Sequence, residues 1–149
     1  MNGETTALTS VQKGKVKQVI IATIVVTIVS MILGMLTCGW LFRWVYELSP
    51  VGVWKFGPGI SPNPVWLTLG NLVMALILVL VYALVSSGIP GKGTRKGMNY
   101  GFIVWLLSLG GMWAVLMFMT VNPGVVLYWT ILGLVILLIE GAIIGAIVK

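Results

Sequence analysis

Four apolar runs, each long enough to cross a lipid bilayer, constrain this chain more than any other feature. A helix needs about 20 residues to traverse the hydrocarbon core. The runs 18–42, 65–87, 100–120 and 125–148 meet that length, and Glu140 is the sole charged residue within them. Backbone polar groups in lipid must be satisfied inside the segment, so the runs are expected as helices rather than strands. Breakers separate them: Pro50, Pro58, Pro62 and Pro64, then Pro90, Gly91 and Gly93, then Asn122, Pro123 and Gly124. No proline interrupts a run. The expected fold is all-α, an integral membrane four-helix transmembrane bundle forming a single domain over 1–149.

Composition supports the same solvent. Hydrophobic residues make up 59% and charged residues 8% of the chain, against about 25% charged in a soluble domain. The net charge of +6 is not a nucleic-acid footprint, because the basic residues cluster beside the ends of the runs. There they meet anionic headgroups and set orientation. Lys13, Lys15 and Lys17 lie in a basic tail, 1–17, and Lys92, Arg95 and Lys96 in the second loop; these six are the expected lipid-headgroup contacts. With Lys149 they make seven positive charges on one side, against Arg43 and Lys55 on the other. That imbalance predicts both termini in the cytoplasm and a multi-pass protein of the cell (inner) membrane. The segment Met1–Ser10 lacks the basic start of a cleavable signal, so the first run is expected to be retained.

The side-chain inventory bears on chemistry. The chain has no histidine and no aspartate; its acids are Glu4, Glu47 and Glu140, and Cys38 is its one cysteine. Histidine-ligated haem, most metal sites and the standard catalytic triads need residues that are not here. The expectation is a non-catalytic protein with no cofactor, no metal and no catalytic residue. The loop SSGIPGKGTRKGMNY (86–100) is not a phosphate-binding loop either. That motif needs Ser or Thr after its Gly-Lys, and Gly93 follows Lys92 here.

Polar and small residues fall into stripes. Thr23, Thr27, Ser30, Gly34 and Thr37 recur at helical spacing on the first run, as do Asn71, Ala75, Tyr82 and Ser86 on the second. The third offers Gly97, Gly101, Ser108 and Gly111; the fourth Gly133, Glu140, Gly141 and Gly145. Small residues let membrane helices approach closely, and Gly34, Gly101, Gly133, Gly141 and Gly145 are the expected packing positions. An ionised Glu140 facing lipid would cost several kcal/mol, so it must face other helices, carry a proton or meet a partner. At 1.5 Å per residue it lies roughly 13 Å from the chain's end. Thr27 and Ser108 fall at similar depth, with Tyr82 nearby. These four residues are expected to form a buried polar cluster.

Aromatic rings mark the other side. Trp40, Trp44, Trp54, Trp66 and Trp129 are expected as interface anchors at the headgroup level. The helix of the first run has no breaker before Pro50 and is expected to continue to near Leu48. The loop 43–64 that follows is aromatic and nearly uncharged, a docking surface for a partner subunit.

In layout, the chain resembles small four-span bacterial and archaeal membrane proteins grouped as domains of unknown function. The resemblance rests on LGNLVMALILVLVYAL (69–84), KGMNYGFIVWLL (96–107) and GAIIGAI (141–147). It implies a four-span fold and no particular activity. Small multidrug pumps differ, since their essential acid sits in the first span. Two functional expectations follow. The first is an accessory or scaffolding subunit, meeting membrane lipids and either other membrane subunits or further copies of itself. The alternative is a small proton- or cation-coupled transporter or channel using Glu140.

Overall fold

The computed structural model describes residues 2–48 and 63–148, with side chains from residue 14 onward within those ranges. The described residues are helical, with no strand. Helix α1 is Asn2–Gly34, α2 Pro64–Val85, α3 Gly93–Phe118 and α4 Pro123–Ile147. Four segments, Gly14–Leu41, Pro64–Gly88, Gly93–Phe118 and Pro123–Ile147, are long and apolar enough to cross a membrane.

The helix starts are written locally. Both α2 and α4 begin with Asn-Pro. The Asn63 side chain accepts from the Val65 amide at 2.9 Å, and that of Asn122 from the Gly124 amide at 2.8 Å. Each cap satisfies one otherwise orphaned donor, while the proline occupies a position that needs no N–H. Helix α3 begins differently, after a turn in which Gly91 (φ +106°) and Gly93 (φ +53°) adopt the left-handed backbone that glycine tolerates. The second loop is therefore shorter than expected, because α3 starts at Gly93, ahead of Tyr100. The tail 1–17 is likewise helical from Asn2 and continuous with the first span.

Helix α1 does not run evenly to Leu48. Beyond Gly34 it widens into a π-helical segment, Met35–Leu41, then turns at Phe42 into a 3-10 helix, Arg43–Leu48. Gly34, Thr37 and Gly39 concentrate here, all poorer helix formers than the Leu and Met beside them. Tertiary contacts take over where propensity is weak. Phe42 and Tyr128 meet with ring centroids 5.2 Å apart, Val45 is buried, and Asn122 donates to the Leu48 carbonyl at 3.3 Å. Trp54 and most of the 43–64 loop lie outside the described residues, as does the Lys13 side chain.

Two helix pairs make the bundle. Helices α3 and α4 form its tightest contact, with Gly97 and Gly101 set against Gly141 and Gly145. A methyl group on Gly97 would overlap the Gly141 carbonyl, and one on Gly101 the Leu137 carbonyl. The reverse holds for Gly141 against the Gly97 carbonyl and Gly145 against that of Gly93. Helix α1 packs on α2 and α4 through a core of Ala22, Val26, Ala75, Val79, Tyr82 and Ile144. Tyr100 links α3 to α2: its ring meets Tyr82 edge-on at 5.2 Å, and its hydroxyl donates to the Leu78 carbonyl at 2.8 Å.

Of the expected packing glycines, Gly101, Gly141 and Gly145 sit at this contact. Gly34 faces open space, and a methyl group on Gly133 would meet the Trp105 ring at an ordinary 4.0 Å. Close approach needs glycine on both helices at the same level, and Gly97, not Gly133, supplies the facing pair. Replacing Gly97 or Gly141 by leucine is expected to destabilise the bundle by about 3 kcal/mol. Gly110→Ala, where the space is open, should be neutral or stabilising by up to about 1 kcal/mol. Thermal unfolding in detergent checks both.

Candidate functional site

Glu140 sits in α4 on the face that also carries Gly141, Ile144 and Gly145, all buried. Ile131, Val135 and Ile139 occupy the exposed side of the same helix. The buried face is divided between neighbours. Gly141 and Gly145 are pressed on α3, and Ile144 joins the core shared with α1 and α2. This places the Glu140 carboxyl toward α1, where it is 8% exposed.

Its partner there is Ser30, whose Oγ is in hydrogen-bonding contact with Glu140 Oε1. Ser30 Oγ also donates to the Val26 carbonyl of its own helix at 2.8 Å. The threonines one and two turns earlier are buried as well. Thr27 donates to the Thr23 carbonyl at 2.8 Å and Thr23 to the Val19 carbonyl at 2.9 Å. A hydroxyl bonded back to the preceding turn is self-satisfied in apolar surroundings.

The expected cluster of Glu140, Tyr82, Ser108 and Thr27 is therefore rearranged. Thr27 bonds within α1, and Ser108 donates to the Trp105 carbonyl within α3 at 2.7 Å. Tyr82 is buried, packed edge-on to Tyr100 in the hydrophobic core. The carboxyl meets Ser30, one turn further along the stripe that also holds Thr27. Depth counted from helix ends places residues at one level without saying which face they share. Two glycine pairs turn α4 so that its acid reaches α1, and this register decided the partner.

A second polar group lies where the π-helical segment meets α4. Thr37 Oγ1, which donates to the Leu33 carbonyl at 2.6 Å, lies 3.7 Å from Cys38 Sγ, and Cys38 Sγ lies 3.9 Å from the Tyr128 hydroxyl. Trp129 Nε1 donates to the Tyr46 hydroxyl at 3.1 Å. Burial pushes the Tyr46 phenol up from its ordinary range, and hydrogen bonding with Cys38 pushes the same way. Tyr46 thus holds its proton, closing the 3-10 turn onto α4. Trp129, expected as a headgroup anchor, is half-buried in this contact. Trp40, Trp44 and Trp66 are exposed, Trp66 at 73%. Lys15, Lys17, Lys92 and Arg95 are exposed and Lys96 half-buried, near the opposite ends of the apolar spans.

Among the described residues, no three of His, Cys, Asp and Glu come close enough to hold a metal ion. Glu140 forms no ion pair among them, and burial and the Ser30 contact dominate its surroundings. A carboxyl beside a hydroxyl, sealed between helices, can hold a proton and tie the helices together. Compared with models of known families, with characterised proteins and with solved structures, the chain has no match. That is consistent with its likeness to four-span proteins of unassigned activity.

Ser30→Ala removes the side chain that, among the described residues, is hydrogen-bonded to the acid. It is expected to lower stability in detergent by roughly 0.5–2 kcal/mol. Thr27→Val and Ser108→Ala break only bonds within their own helices and should change it by less than about 0.5 kcal/mol. Thermal unfolding of the three variants separates the rearranged site from the expected one.

Proposed function

We propose that this chain is a non-catalytic subunit of a larger membrane assembly, holding partner helices beside it in the bilayer. The observation that supports this reading is a division among its glycines. Gly97, Gly101, Gly141 and Gly145 are consumed inside the bundle, whereas Gly70 on α2 and Gly110 and Gly111 on α3 open onto empty space. Lipid tails do not drive helices together; close approach over small residues does. The unused glycines lie among large exposed side chains, Leu69 beside Gly70, Leu107 and Trp113 beside the α3 pair. Such faces suit a second helix better than acyl chains alone.

The proposed orientation has both termini in the cytoplasm of the cell membrane. Lys15, Lys17, Lys92, Arg95 and Lys96 would then lie at the anionic inner leaflet. Trp40, Trp44 and Trp66 would sit at the outer headgroups.

A second reading, a small proton- or cation-coupled transporter, is favoured by one observation: the Glu140 carboxyl buried within a span. Glu140→Gln distinguishes the two. Loss of ion flux with assembly intact would select transport.

The test of the subunit reading uses native membranes. Gly70→Leu and Gly110→Leu should keep the thermal stability of the parent chain while at least fivefold less partner copurifies in mild detergent. A chain that purifies alone, or variants that retain every partner, would refute it.

A further inference from the structure

The hydrogen-bond arithmetic at Ser30 says more about Glu140 than its burial does. A serine hydroxyl has one proton to give and two lone pairs to receive with. Ser30 Oγ has two oxygen neighbours, the Val26 carbonyl at 2.8 Å and Glu140 Oε1. A carbonyl can only accept. If the carboxyl were ionised it too could only accept, and the two would compete for a single proton. If the carboxyl is protonated, both contacts are made at once, because the acid donates to Ser30 and Ser30 donates to Val26.

The surroundings leave that proton unchallenged. No ion pair reaches Glu140 among the described residues. On α1, Thr23 and Thr27 spend their hydroxyls within the helix, and in the π-helical segment beyond it Cys38 lies against Tyr128. The phenols on α2 and α3 are engaged with each other, Tyr82 against the ring of Tyr100 and Tyr100 with the Leu78 carbonyl. Lys96 adjoins Gly97, which packs on Gly141, yet no ion pair joins it to Glu140 among the described residues, and Lys15, Lys17, Lys92 and Arg95 are exposed.

We propose that Glu140 is a proton-binding site whose neutral carboxyl donates to Ser30, latching α4 to α1 through the chain Glu140 O–H to Ser30 O–H to Val26 C=O. The ligand is a proton. Its release to water would leave a carboxylate and a carbonyl contending for one hydroxyl proton, so deprotonation weakens the α1–α4 contact. The latch goes beyond the subunit reading and holds whichever partners the bundle has.

The composition makes the test direct. Glu4, Glu47 and Glu140 are the only acidic side chains, so the full chain carrying Glu4→Gln and Glu47→Gln retains one side-chain carboxyl. Infrared spectroscopy of that variant in lipid bilayers, labelled with ¹³C at glutamate carboxyls, should show a protonated acid carbonyl at neutral pH and no labelled side-chain carboxylate. Adding Glu140→Gln should abolish the acid band, and adding Ser30→Ala should shift it upward as its hydrogen bond is lost. A labelled side-chain carboxylate band at neutral pH would overturn the proposal. So would an acid band that Ser30→Ala leaves unmoved. Should the double variant fail to fold, Glu140→Gln on the wild-type background, read as a difference spectrum, reports the same two bands.

Discussion

Lipid cannot hydrogen-bond, and every polar group carried into the bilayer must find its partner within the protein. That constraint explains the local chemistry of each helix. Thr23, Thr27, Ser30, Thr37, Thr68 and Thr130 all donate to a carbonyl one turn back. Asn71 does the same with its amide. Tyr100 and Trp105 are exceptions that serve packing, each donating to a carbonyl of a neighbouring helix. Glu140 has no such local route, because its carboxyl reaches away from its own helix toward α1. It is where the solvent's demand becomes a tertiary contact.

Glycine makes that contact possible. Backbone-to-backbone approach of α3 and α4 at Gly97, Gly101, Gly141 and Gly145 locks the rotation of α4 about its axis. With that rotation set, Ile144 enters the core and Glu140 turns to α1. The hairpin and the acid are therefore one arrangement rather than two features. A change in the glycine register would swing the carboxyl toward another helix or the acyl chains, where an ionised acid is costly.

Much of this was legible in the residues. The four helices follow from run length and breakers, and the hydroxyl stripe on α1 already contained Ser30. Gly97 and Gly101 show the same four-residue spacing as Gly141 and Gly145, a signal visible before any coordinates. Other features were not legible. The widened ladder of Met35–Leu41 depends on contacts that Phe42 and Val45 find near the start of α4. Trp129 reads as an anchor until Tyr46 is seen to cover it.

Sequence alone determined the solvent, the four apolar spans and the starts of α2 and α4, because hydropathy, proline and asparagine caps act over a few residues. It also determined that one acid would need shelter. Only the tertiary structure decided which side chain shelters it. Helical spacing gives a residue's direction relative to its own helix, whereas the partner depends on how that helix is rotated against the next. The glycine contact between α3 and α4 sets that rotation and brings Glu140 to Ser30.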